Sequence, residues 1–306
     1  MAAAMSAFIG SYGAGKVAEA QSRMNEDAQA ALSILSQQIR MAGNNPDQPN
    51  RVDDLDPTKS SVRNPVYGVT TLPTGTYTTS RFSIRGCDAA FTNLTSTGTT
   101  LDTLTCATGG TSTLADSIAI SYEADPFNTP RTTAGLATDC LGSALPIITT
   151  TLPTIVAGTS TNATVTYTVA DNRFYIATSD DIIAPTLYCK GNASVAQPLV
   201  ENIEDLQLTY GTVSAATTAT TANIAGYLPA SSFADATVVT LANAEDRWDQ
   251  VVTVRICVIV RSEGLVASDS VAARYLNCAG TMVTNPPDLR LRRAYTTTVV
   301  LKNRRL

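Results

Sequence analysis

Residues 10–17 read GSYGAGKV, in which Gly10, four further residues, Gly15 and Lys16 approach the phosphate-cradling loop of nucleotide hydrolases. That loop needs a serine or threonine after the lysine to hold magnesium, and Val17 stands there instead. It also needs a buried strand before it, whereas helix-forming residues precede Gly10 and a helical face runs on past Lys16. The three glycines of this stretch are better read as small residues that let another helix approach, or that loosen this one. Adjacent acids occur at Asp53-Asp54, Asp180-Asp181, Glu204-Asp205 and Glu245-Asp246. Glycoside hydrolysis needs two carboxylates facing each other across a cleft, which adjacency does not supply, so these read as solvated loop or strand-edge charges. The chain contains no histidine, which removes His-based triads, Cys–His pairs and the commonest metal ligand. No calcium-loop spacing and no serine-nucleophile elbow is visible. The expectation is a protein that is not an enzyme, with no cofactor, no metal and no small-molecule substrate.

Six cysteines remain, at Cys87, Cys106, Cys140, Cys189, Cys257 and Cys278. Their number is even and none forms a C-x-x-C pair, so they read as disulfides, and disulfides point to an oxidising destination. Fifteen connectivities are open to six cysteines. Locality favours Cys87–Cys106, Cys140–Cys189 and Cys257–Cys278, with a hairpin at 165–176 bringing the second pair together.

The elements that would position these residues fall into two parts. Val17, Ala20, Met24, Ala28, Ala31, Leu35, Ile39 and Ala42 recur at three- and four-residue steps, which predicts one face of a helix. Gly43 sits where a left-handed cap belongs and Pro46 prevents resumption. The more apolar stretch before Val17 extends the same helix to about 40 residues, roughly 60 Å. After Gly43, period-two runs replace the helical period. SIAISYEA places Ile118, Ile120 and Tyr122 on one face. TVTYTVADNRFYIA breaks at Asp171-Asn172 as a hairpin would. The strand at 251–263 turns Val254, Ile256, Val258 and Val260 one way and Arg255, Cys257 and Arg261 the other. Arginines 290, 292, 293, 304 and 305 read as charges that blunt a sheet edge. The fold class is α+β: residues 1–43 a long N-terminal helix, packed on a large antiparallel β-rich, disulfide-bonded head at 44–306. The formal net charge of -5 gives no electrostatic footprint for nucleic acid.

A greasy-then-amphipathic N-terminal helix, a β-head and disulfides resemble a type IV pilin. The segments AEAQSRMNEDAQAALSILSQQIRMAG (18–43), NRFYIA with LYCKGN (172–193), QPLVENIEDLQLTYG (197–211), VVTVRICVIVRSE (251–263) and LRRAYTTTVVLKNR (291–304) are similar to PilW-type minor pilins of Gram-negative bacteria. The span 50–135 matches poorly and reads as a variable insertion. That family opens with a short leader and a hydrophobic segment bearing an early glutamate. Glu19 and Glu26 lie too far in for that role, so the chain is expected to be a mature pilin without its first turns.

The resemblance implies a minor pilin that joins other minor pilins in a priming or tip complex of the type IV pilus. Its partners would be those minor pilins and the major pilin, with a tip adhesin, and the inner membrane before assembly. It would start in the periplasm and inner membrane and end on the cell-surface pilus. Met5, Phe8, Ile9 and Tyr12 would then be buried among neighbouring helices or in the bilayer. Leu35 and Ile39 would pack on the sheet carrying Val254, Ile256 and Val258. The alternatives are a type II secretion pseudopilin, which shares this assembly logic, or a secreted β-rich adhesin or hydrolase.

Overall fold

The computed structural model describes residues 2–44, 67–72, 75–80, 83–94, 101, 104–107, 114–156, 159–179, 181–192, 195–213, 224–234 and 244–303. The first helix, α1, runs from Ala2 to Met41 without interruption, so residues 10–17 are helical and form no phosphate loop. Met24, Ala28, Ala31, Leu35, Ile39 and Ala42 are buried, while Val17 and Ala20 are half-buried. The stripe therefore closes onto the head only over its C-terminal half. Gly43 ends the helix in the left-handed conformation, with φ 69°, and its N–H donates to Ser121 O at 2.9 Å. A cap that hydrogen-bonds a strand fixes where the helix lands.

Two antiparallel sheets form the core. The first joins β3 (Ile84–Cys87), β4 (Ser117–Ala124), β6 (Thr159–Ala177), β7 (Thr186–Lys190) and β8 (Gln197–Glu201) in that order, with β5 (Ile147–Val156) paired to β6 beside this path. The second has the order β10-β9-β11-β14, from β9 (Ile203–Val213), β10 (Ile224–Leu228), β11 (Val251–Arg261) and β14 (Arg292–Val300). Two short hairpins stand apart, β1–β2 (Tyr67–Leu72, Gly75–Ser80) and β12–β13 (Tyr275–Leu276, Met282–Val283). A single residue, Asn202, connects β8 of the first sheet to β9 of the second, and it adopts φ 62°. Asparagine tolerates this left-handed conformation better than most residues, which lets the chain change sheets in one step.

The helix lies on both sheets, contacting β11, β14 and β9 on one side and β4 and β8 on the other. Leu35 and Ile39 are fully buried in the same core cluster as Val254, Ile256 and Val258. The period-two reading of β11 holds because its inner face meets the helix, while the segment after it covers Cys257 and Ile259 on the outer face. The disulfides join Cys87 to Cys106, Cys140 to Cys189 and Cys257 to Cys278, each cysteine to its next neighbour in sequence.

One expectation is corrected. The hairpin at 165–176 does not form, because β6 runs through Asp171 and Asn172 as one strand of 19 residues. Both polar residues are held inside the sheet: Asp171 pairs with Arg173 at 2.7 Å, and the Asn172 side chain is fully buried with partners of its own. Cys140 reaches Cys189 by another route, through a loop whose Cys140 N–H donates to Asn172 Oδ1 at 3.0 Å, with Phe174 paired to Cys189 two residues further along the same strand. The span 50–135, expected to be a variable insertion, also contributes to the core. It supplies β3 and β4, and Ile84, Ile118, Ile120 and Tyr122 are core residues.

Asp116, just before β4, is buried and accepts the Leu208 N–H of β9 at 2.6 Å. Burial, with the nearby Asp88 and Asp205 charges adding and the Leu208 bond opposing, pushes its pKa up to about 8. An unfolded aspartate titrates near ~3.9. The folded protein therefore holds a proton between pH ~4 and ~8 that the unfolded chain releases, and stability falls as pH rises through that window. Asp116→Asn keeps an acceptor for Leu208 and removes the titration. Urea midpoints measured from pH 4 to 9 should show the variant gaining on wild type up to pH 8 and then holding a constant lead. Parallel curves at every pH would refute the buried proton.

Candidate interaction surface

Among the described residues, no three His, Cys, Asp or Glu side chains gather where they could hold a metal ion. Of the adjacent acids, Glu204 pairs with Arg292 at 2.8 Å and Asp205 accepts from Gln207 at 3.0 Å. Asp53, Asp54 and Asp180 lie outside the described residues, as do the side chains of Glu245 and Asp246. The feature with the form of a site is the place where α1 leaves the head.

Polar contacts tie the helix to the head, two of them near that exit. Tyr295 Oη donates to Asn25 Oδ1 at 2.6 Å, tying β14 to the helix. Arg23 pairs with Glu19 one turn away, at 2.9 Å, and with Glu263 beyond the end of β11, at 3.0 Å. At the other end Asn303 donates to Arg40 O at 2.8 Å. Exposed pairs such as Arg23–Glu263 are worth about 0–1 kcal/mol, so they set direction more than they hold the helix down. Asp27 sits in the same row, its pKa raised by burial against the opposing Asn202 hydrogen bond.

A buried polar knot lies under the helix. Gln38 Oε1 accepts from Asn172 Nδ2 at 2.8 Å and from Tyr122 Oη at 3.4 Å, and Asn172 also bonds Tyr122 and Cys140 N. Burial raises the Tyr122 pKa to about 12, partly offset by its bonds to Asn172 and Gln38. The phenol thus stays protonated as a donor at any physiological pH. A satisfied network of this kind selects one register of helix on sheet, because sliding by one turn would break both bonds to Gln38 and leave its oxygen without either donor. Sequence reasoning missed it; the signal was Gln38, a polar residue one position before Ile39 of the apolar stripe.

N-terminal to Met24 the described side chains are exposed apart from the half-buried Val17 and Ala20. Residues 12–16 are exposed, Tyr12 at 60%, and the Lys16 ammonium sits 4.6 Å from the Tyr12 ring centroid. The side chains of Met5, Phe8 and Ile9 lie outside the described residues. No helix among the described residues is long and apolar enough to cross a membrane.

The described C-terminal arginines lie on or just before β14, an edge strand of the second sheet, and two of them are also bonded into the head. Arg292 has a buried side chain that bonds Glu204 and Asp288, each at 2.8 Å, and Arg290 pairs with Asp288 at 2.9 Å. Burial opposes ionisation of Asp288, but hydrogen bonds from Arg292 and Arg290 outweigh it and hold the carboxyl far below the usual range. Arg293 alone of the three is exposed, stacked against Tyr295. Residues 304 and 305 lie outside the described residues.

Comparison with curated proteins and with solved structures returns no match. A family model does match, over somewhat less than half of the chain, and the matched stretch starts inside β6 and takes in β7 to β14, hence the whole of the second sheet, one of the two on which the helix lies. Over residues 173–303 the chain is similar to the type IV pilus-assembly protein W family, a family of pilus assembly and not of enzymes.

Proposed function

We propose that the protein is a minor pilin that takes part in type IV pilus assembly, in a priming or tip complex with other minor pilins. The observation that carries this reading is the split of one continuous helix. From Met24 onward its stripe is buried on the two sheets, the second of which matches the pilus-assembly family, while residues 12–16 are exposed. Apolar helical surface that the head does not cover is buried elsewhere, in a bilayer before assembly or among neighbouring helices after it. Tyr12, with Met5, Phe8 and Ile9, belongs to that surface in this reading. A head-to-tail contact of this kind does not close into a ring, which suits a fibre. The subunit would reside at the inner membrane and then on the pilus, with no catalytic step assigned to it.

Deletion of the gene in the source bacterium should strip surface pili, counted by electron microscopy. The full protein should restore them, and a form lacking residues 1–16 of this chain should not. Cross-links from position 12 should reach other minor pilins. Wild-type piliation in the deletion strain, or full rescue by the shortened form, would overturn the proposal.

A further inference from the structure

Where β11 ends and β14 begins, the head carries three arginines with too few anions to answer them. Arg261 and Arg292 stand opposite each other in the β11–β14 ladder, a position in which like charges weaken a sheet. Arg290 lies two residues before Arg292 and reaches the same spot. Two carboxylates serve the group, and both are engaged by Arg290 and Arg292. Arg290 Nε also donates to Glu263 O at 3.3 Å, and Arg292 Nη1 to Arg290 O at 3.2 Å. The Arg261 backbone N–H donates to Asn202 O at 3.0 Å, but among the described residues its side chain makes no ion pair and its buried Nε has no acceptor. Burial and the Arg290 charge lower its pKa, with the Glu204 and Asp288 carboxylates opposing but not overcoming them.

Leaving a guanidinium partly buried beside two others is unfavourable, and such a group offers a planar fork that fits one carboxylate. We propose that Arg261, flanked by Arg290 and Arg292, is the docking point for a single carboxylate side chain carried by a neighbouring protein subunit, an inference that rests on the pilus-assembly reading above. A free carboxylate would gain little from one half-exposed pair, so it would bind weakly. The same pair on a docked protein adds to other buried surface and fixes the register of the contact. The frame around it is firm. Cys257–Cys278 ties β11 to the segment after it, and Ser262 Oγ donates to Gly264 O at 2.7 Å while accepting Leu291 N at 2.9 Å.

Two measurements test this. Titrating the whole chain with sodium acetate, against sodium chloride at equal ionic strength, should move the Arg261 Nε–H resonance saturably with weak affinity, and Arg261→Gln should remove that response. An unchanged resonance overturns the site. Arg261→Gln leaves two guanidinium groups on two carboxylates, so it should melt at or above wild type. In the piliation assay it should nonetheless lower pilus number severalfold, with Arg293→Gln as the exposed control. Full rescue by a stably folded Arg261→Gln, with the acetate response intact in wild type, overturns the protein-borne source and leaves a free-anion site. If gene deletion itself spares piliation, the pilus reading fails while the acetate titration still decides the site.

Discussion

Leu35→Asp should unfold the junction between helix and head. Leu35 is fully buried between the two sheets, where it shares a core with Val254, Ile256 and Val258. The substitution removes about 2 kcal/mol or more of apolar burial and places a carboxylate where none of the described cations is bonded toward it. The combined loss is on the order of 4 kcal/mol or more, a large part of what a domain has. The variant should appear in inclusion bodies or melt far below wild type, and Leu35→Met should melt close to it. A Leu35→Asp protein with wild-type melting would mean that the helix does not pack as described.

Gly86→Ala should be nearly as damaging, for the opposite reason. A Cβ at position 86 would fall on the hydroxyl of Tyr210, backed by the Tyr210 ring. That ring cannot retreat. It lies edge-on to Trp248 at 4.9 Å and to Phe233 at 5.8 Å, and these two stack on each other at 4.4 Å. Overpacking of this kind costs about 1–3 kcal/mol, and more where the neighbours are rigid. The Tyr210 hydroxyl is buried and makes no hydrogen bond, so Tyr210→Phe alone should be neutral or slightly stabilising. It should also make room for the methyl group and restore most of what Gly86→Ala loses. Denaturant midpoints of the four proteins form a double-mutant cycle with strong favourable coupling. Additive effects would show that the two residues do not collide.

What the sequence made legible was whatever repeats with a period. The stripe from Met24 to Ala42 and the alternation from Val254 to Val260 are periodic because each faces one partner, so the reading survived folding. The failures are residues whose meaning depends on a distant partner. Asp171-Asn172 has the local chemistry of a turn, yet Asn172 bonds Gln38, 134 positions away. Arg292 is an edge-strand charge, but its pairing with Glu204 and Asp288 is not announced locally. Gly86 sits in a short strand with no turn to mark it, and only the approach of Tyr210 explains it. The arginine corner was out of reach for the same reason, since cross-strand opposition of Arg261 and Arg292 is a property of register.

The placing of the disulfides bears on how such a subunit carries mechanical load. Each bridge closes a local loop, two inside the first sheet and its covering segment and one beside the second. None crosses from sheet to sheet, and none reaches the helix. Tension applied between α1 and the head would therefore be resisted by shear of the apolar stripe and the Gln38–Asn172 knot, with no covalent stop. Beyond that point each bridge would withhold only the residues inside its own loop, closed at separations of 19, 49 and 21 positions. The result is a body that yields first at one seam, with three short stretches of the head locked against extension.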